Sequence, residues 1–380
     1  MPTAVRDSTA LLTDQYELTM LAGVPGARRR AGPATLDWLA DYRFGGDIDC
    51  YPEGELYFTH SAVLTVTSSF AEGVVLETLV LSVLNHDCAV AAAAARMTSA
   101  AGDRPWVEMG GRRTQEEAAV AAARAAYLAG FAATSNLAAG QRYGIPTTGT
   151  AAHAFTLLHD SEADAFAAQI EALGTDTTLL VDTYDITRGI ATAIEVAGPR
   201  LRAIRIDSGD LGKRVRQARA QLDRLGAPDV QIVVSGDLDE HSISALRTEP
   251  VDSYGVGTSV VTGSGVPTAG MVYKLVEVDG RPVAKHSESK ASRGGAKGAL
   301  RRYKPSGTAV EELVFRRGRQ PALGEHDRVL PVPLLREGHP VGPPDTLQQA
   351  RDRFRAAQHS LPVDGLQLSP GKPALPTVFA

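Results

Sequence analysis

Arg205-Ile206-Asp207-Ser208-Gly209-Asp210-Leu211 packs charge, hydroxyl and glycine into seven positions at the end of an apolar run. An arginine there offers a rigid planar fork of donors to a carboxylate or a phosphate. Asp207 and Asp210 can accept from sugar hydroxyls or sit near a metal ion, and Ser208-Gly209 lets the backbone turn tightly and approach a ligand. The same residue types also suit a plain strand-to-helix connection, where Asp and Ser cap the helix. The neighbouring stretches favour chemistry. Residues 178–181 run into Asp182-Thr183-Tyr184-Asp185, residues 230–234 into Ser235-Gly236-Asp237, and residues 253–256 into Gly257-Thr258-Ser259. Two further stretches join this set. Gly110-Gly111-Arg112-Arg113-Thr114 follows an apolar run and suits an anion. Gly149-Thr150-Ala151-Ala152-His153 brings a lone imidazole to the same end, where it can serve as base, proton shuttle or nucleophile.

These polar ends need elements to hold them. Strand, polar loop, helix, strand is the pattern of parallel β/α units, and in barrels built that way the site gathers at the C-terminal strand ends. Strands are expected over 105–109, 131–136, 146–150, 178–181, 230–234 and 253–256, with helices over 115–129 and 214–225. The barrel pattern ends near residues 271–277, and residues 284–302 read as an exposed basic loop. Ahead of the barrel, 41–58 and 63–67 read as short strands and 70–97 as a helix, in which Asn85, His86 and Asp87 form a structural polar cluster. Residues 310–330 and the Pro-rich tail read as peripheral, and 345–359 as a solvated helix. Tyr16 lies on an N-terminal helix and reads as a core aromatic or a ring that stacks on a ligand.

Length and composition set the outer limits. The chain has 380 residues, 43% of them hydrophobic and 22% charged, enough for two domains with substantial cores. A net charge of -5 argues against non-specific nucleic-acid binding. Cys50 and Cys88 form neither a metal spacing nor a disulfide framework, which fits a reducing cytoplasm. The first residues lack the basic start and apolar run of a signal peptide. Residues 76–90 come nearest to a membrane span but are interrupted by Glu77, Asn85, His86 and Asp87, so no membrane partner is expected.

Taken together, the motifs resemble those of the nicotinate phosphoribosyltransferases. Leu12-Thr13-Asp14-Gln15-Tyr16-Glu17-Leu18-Thr19-Met20, Leu76-Glu77-Thr78-Leu79, Gly149 to Phe155, Val181 to Asp185, Arg205 to Leu211, Ser235 to Glu240 and Gly255-Val256-Gly257-Thr258 carry the likeness, in the family's order. The resemblance implies an α/β fold of the type II phosphoribosyltransferase kind. That is an irregular, TIM-like α/β barrel over 101–274, beside a smaller α/β domain made from 1–100 and about 275–380. It also implies condensation of nicotinate with phosphoribosyl pyrophosphate to nicotinate mononucleotide and pyrophosphate in NAD biosynthesis, coupled to ATP hydrolysis. Mg²⁺ and a homodimer with shared active sites come with it. A remnant that binds phosphorylated sugar without turnover, or a transferase for nicotinamide or quinolinate, is the alternative. After Leu21 the family's next helix and strand are missing, so the N-terminal domain is expected to be shortened.

By the same resemblance, His153 matches the histidine phosphorylated by ATP. Arg205 would pair with the nicotinate carboxylate or cover its ring, and Asp207 and Asp237 would accept from the ribose. Gly236, Gly257 and Thr258 would hold the 5′-phosphate through backbone N–H groups, and Arg112 the phosphate or pyrophosphate. Tyr16 would stack on nicotinate across the dimer. Thr150, Asp182, Ser208 and Ser235 complete the expected substrate-binding set.

Overall fold

A computed structural model describes residues 32–285 and 293–380. Tyr16, the expected N-terminal helix and the middle of the basic loop lie outside the described residues. The chain divides into two compact units, one containing the residues up to Asn85 together with Gly270–Ala380, the other His86–Ala269. The boundary expected at 100/101 instead falls inside one long helix, Phe70–Ala101. By length and composition that helix is apolar enough to cross a bilayer, which the interruptions in its sequence had argued against. Its side chains Leu76, Val80, Leu84, Ala93, Ala94 and Met97 are buried within the protein.

The His86–Ala269 unit is built on six parallel strands, a curled, open barrel sheet in the order Ala133–Thr134, Trp106–Glu108, Ser253–Val256, Gln231–Val234, Ala203–Ile206, Thr178–Leu180. Its strands read as apolar runs because helices cover them and buried parallel strands have no wet face. Ile204 and Ile206 point to one side of the sheet, leaving Arg205 on the other. Most helices start on a side-chain cap. Gln115 accepts from the N–H groups of Glu117 and Ala118, Asp185 from Arg188, and Asp210 from Lys213. Asp210 is therefore a cap, the plainer of the two readings open to it. Residues 146–150 do not form the expected strand. Only Thr147 bridges to Thr134, in a stretch that holds Pro146 and Gly149, both poor strand residues.

Among the described residues the other unit holds two four-stranded, antiparallel-rich sheets and a two-stranded one, Glu277–Val278 with Arg281–Pro282. In the first, Asp47–Cys50 sits between Leu64–Thr67 and Val332–Arg336, with Ile48, Leu76, Val80, Leu84 and Leu335 as its core. The Asn85 side chain is satisfied by the backbone of Met271, in keeping with a structural polar cluster. In the second sheet, Lys297–Tyr303 and Ala309–Arg316 pair at the centre, with Thr377–Phe379 added in parallel. Residues 309–316 are thus central and not peripheral, and Leu313, Val314 and Phe315 are buried. The glycine- and charge-rich surroundings hide that strand in the sequence. Helix Leu347–His359 buries Ala350, Phe354 and Ala357 along one side, so it is half-packed and not simply solvated. Inside this sheet Arg301, wholly buried, donates to Glu55 (2.5 Å), to the Leu56 carbonyl (2.7 Å) and to its strand partner Glu312 (2.9 Å). Tyr51 and Ser61 also donate to Glu312.

Candidate active site

The ends of two barrel strands and the 146–150 stretch converge on Arg205. Its Nε donates to Ser235 Oγ (2.7 Å), Nη1 to Thr150 Oγ1 (2.6 Å) and Nη2 to Asp207 Oδ1 (2.7 Å). A guanidinium has five N–H donors, so one on each terminal nitrogen is left for a ligand. The side chain is only 15% exposed, which strengthens whatever charge contact it makes. Ser235 closes the ring by donating to Asp207 Oδ1. Burial pushes the Asp207 carboxyl up, but the Ser235 hydroxyl and the Arg205 guanidinium outweigh it and hold the group below the usual range. Asp207 therefore stays an anionic acceptor, and the stability it adds above the ordinary carboxylate range is lost only as pH falls through its lowered folded value.

Asp182 forms a second layer. It is buried, and its Oδ2 accepts from the Asp207 N–H (2.8 Å) and from Ser208 Oγ (2.8 Å). Its other oxygen, Oδ1, has no hydrogen-bond partner among the described residues and lies 4.0 Å from His153 Nε2. The opposite ring nitrogen, Nδ1, is 3.1 Å from Thr183 Oγ1. His153 opens the short helix His153–Leu158 and is 44% exposed, accessible to a ligand on one side and oriented from the other. His159 ends that helix with its Nδ1 donating to the Phe155 carbonyl (2.8 Å), a structural use.

The phosphate-sized end is made of glycine loops. Gly236 has φ +101°, and a Cβ there would come within 2.1 Å of the Asp207 carbonyl oxygen. Asp237 follows, also at positive φ (47°), exposed and without a partner among the described residues. Gly236→Ala is expected to destabilise the protein by about 1–3 kcal/mol, because the residue must both adopt a strained backbone and push two loops apart. Thermal melting checks this, and an unchanged midpoint would show that the loops separate freely. Gly257 lies against the Met109–Gly110 backbone, so the Gly257-Thr258 turn and the turn leading to Arg112 touch. Arg112 is exposed and makes no ion pair with any described residue.

The expected residues Thr150, His153, Asp182, Arg205, Asp207, Ser208, Ser235 and Gly236 thus stand in one connected cluster. Arg112, Asp237, Gly257 and Thr258 sit on adjoining loops without a side-chain contact to it. Three residues escaped the sequence reading. Thr183 stands beside Asp182 in a run already singled out, and its partnership with His153 depends on a fold contact. Glu108 and Thr134 are buried at neighbouring strand ends, and the one hint was an acid closing the otherwise apolar run 105–109.

The chain is similar to known proteins in sequence and in fold. Residues 90–266 match the family model described as quinolinate phosphoribosyl transferase, C-terminal domain. A nicotinate phosphoribosyltransferase of Mycobacterium tuberculosis is 57% identical over 98% of this chain and 95% of its own length. A second one from that organism is 40% identical over 86% of this chain and 71% of its own. The first alignment extends over 429 residues against 380 here, so that relative carries segments without a counterpart in this chain. Among solved structures, human nicotinic acid phosphoribosyltransferase superposes with a TM-score of 0.79 at 24% identity, covering 95% of this chain and 85% of its own, a likeness of fold. Nicotinate-nucleotide pyrophosphorylase of Pyrococcus furiosus gives 0.76 at 25% identity, covering 84% and 82%.

Proposed function

The chain belongs to the nicotinate phosphoribosyltransferase family, and we propose that its barrel cluster joins nicotinate to the ribosyl carbon of phosphoribosyl pyrophosphate, with ATP hydrolysis coupled through His153. The observation that carries this reading is the locked Arg205, with two free N–H donors beside an anionic Asp207. In the reaction the nicotinate nitrogen attacks the anomeric carbon as the bond to pyrophosphate breaks. Positive character grows on the sugar and negative charge on the leaving group. Arg205 fixes the nicotinate carboxylate, which aims the ring nitrogen. Asp207 and Asp237 accept from the ribose hydroxyls, and the Gly236 and Gly257 loops offer backbone N–H groups to the 5′-phosphate. Arg112, unpaired and mounted beside Gly257, takes the pyrophosphate. Mg²⁺ commonly binds through one or two carboxylates plus substrate phosphates. Asp237, exposed and unpaired, fits that use, and the ion would neutralise charge on the departing pyrophosphate.

His153 supplies the coupling. In the tautomer that donates Nδ1–H to Thr183, Nε2 keeps its lone pair and can attack the γ-phosphorus of ATP, forming an N–P bond as ADP leaves. The added charge can then order the neighbouring loops. The working form is a homodimer with shared active sites.

The test is turnover. Protein supplied with nicotinate, phosphoribosyl pyrophosphate, Mg²⁺ and ATP is expected to yield the mononucleotide, with nicotinate preferred over nicotinamide and quinolinate in competition. Binding of phosphoribosyl pyrophosphate without turnover would point to the remnant. His153→Ala is expected to abolish an acid-labile, alkali-stable label from ATP while basal synthesis persists. A label on another residue, or a rate and equilibrium indifferent to ATP, removes the coupling role. Sedimentation of the active species as a monomer removes the shared site.

A further inference from the structure

Glu108 is the last residue of the strand Trp106–Glu108, is 1% exposed, and has no part in the reaction described above. Its two oxygens face two different loops. Oε1 accepts from the N–H of Gly110, and Oε2 accepts from Thr134 Oγ1 at 2.6 Å. Thr134, itself wholly buried, uses the same oxygen to accept from the Asn136 N–H (3.0 Å). The Glu108 backbone carbonyl takes the Ser135 N–H (2.8 Å). One acid therefore ties the start of the Gly110 turn to the end of the neighbouring strand. Arg113 N–H closes that turn on the Gly110 carbonyl (2.8 Å), with Gly111 and Arg112 between them. On its far side the turn is wedged: a Cβ on Gly110 would lie 2.2 Å from Val261 Cγ1 and 3.0 Å from the Gly257 carbonyl oxygen.

Glu108 has no ion-pair partner among the described residues, and its donors are neutral. Burial pushes its carboxyl up, against the pull of Thr134 and Gly110. A buried acid so placed costs stability relative to an apolar side chain. What it supplies is direction, since only an acceptor with two oxygens satisfies both donors at once.

We infer that Glu108 is a positioning residue for phosphate binding: its carboxylate clamps the Gly110–Arg113 turn between the Thr134 strand end and the Gly257 turn, and so fixes where Arg112 meets the substrate. The inference rests on the reading of Arg112 as the pyrophosphate contact.

Steady-state kinetics in both substrates on wild type, Glu108→Gln, Thr134→Val and Arg112→Ala test it. Glu108→Gln keeps one acceptor but turns an amide toward the Thr134 hydroxyl. It is expected to raise KM for phosphoribosyl pyrophosphate about tenfold, the scale on which a sub-ångström misplacement acts, with KM for nicotinate unchanged. Thr134→Val, which removes only the hydroxyl, is expected to move the same constant in the same direction by about threefold. It serves as the measurement if the glutamine variant does not fold. A merely structural role would lower kcat with the fraction of folded protein and leave both KM values alone, and that pattern overturns the inference. If Arg112→Ala raises KM for phosphoribosyl pyrophosphate while Glu108→Gln and Thr134→Val do not, the clamp is refuted and the Arg112 reading stands. If the Glu108 and Thr134 variants raise it and Arg112→Ala does not, the clamp stands and another group of the turn makes the contact.

Discussion

Arg205→Ala is expected to lower kcat/KM for mononucleotide synthesis by at least about 10³-fold, equivalent to about 4 kcal/mol of transition-state stabilisation, while the protein stays folded. The size follows from what the side chain connects. On the proposed reading, removing it takes away the donors offered to nicotinate, and it leaves Thr150, Ser235 and Asp207 without their common partner. Asp207 keeps the Ser235 hydroxyl but loses the guanidinium that helps hold its carboxyl low, so the acceptor proposed for the ribose is weakened together with the aim of the ring. Arg205→Lys separates charge from geometry. A single ammonium keeps the charge but cannot reach three oxygens on three loops in one plane, so it is expected to recover less than about a tenth of the activity. Initial rates at saturating phosphoribosyl pyrophosphate measure both variants. Near-normal activity in Arg205→Lys would mean that the site uses Arg205 only as a point charge, and a small loss in Arg205→Ala would remove it from the chemistry.

The second large effect is on stability. Arg301→Met is expected to cost about 3–5 kcal/mol in denaturant unfolding, because it leaves the buried Glu312 carboxylate without a cation. Glu55 keeps the Arg328 guanidinium at 2.6 Å, but Glu312 keeps only the neutral hydroxyls of Tyr51 and Ser61, which do not replace a buried charge. Burial disfavours the Arg301 cation, and the Glu55 and Glu312 carboxylates outweigh that and hold its proton more firmly than usual. Replacing Glu55 and Glu312 by apolar residues in the same chain is expected to recover most of the loss, since an apolar core of equal volume has no desolvation to offset. A midpoint shift worth less than about 1 kcal/mol in the single variant would show that water reaches the cluster.

Much of the barrel was legible because its strands carry two signals at once. Residues 178–181, 230–234 and 253–256 are apolar for burial and end in polar turns for the ligand, and each forms a strand within a residue of its expected bounds. Arg205, Asp207 and Ser235 were visible as candidates for the same reason. Their mutual hydrogen bonds were not, since partners 30 and 55 residues apart meet only when the sheet curls. Residues 146–150 failed as a strand because a run of Pro, Thr and Gly carries the composition of a turn under an otherwise regular spacing. The strand Ala309–Arg316 was missed for the opposite reason. It buries Glu312, and a charge in a core is invisible to periodicity unless its partner, here Arg301 on the adjacent strand, is known.

The antiparallel unit is discontinuous, and this sets an order of events during synthesis. Asp47–Cys50 emerges from the ribosome long before Val332–Arg336, which must lie beside it. Between the two comes the whole stretch His86–Ala269, which holds every strand of its own parallel sheet and can close as soon as it is made. Until residue 335 arrives, Ile48 lacks the partner that completes its core, and the Asp47–Cys50 strand presents an open edge to other nascent chains. A nascent chain that has emerged past residue 269 but not yet through Val332–Arg336 therefore displays a finished parallel sheet tethered to an unfinished and adhesive one.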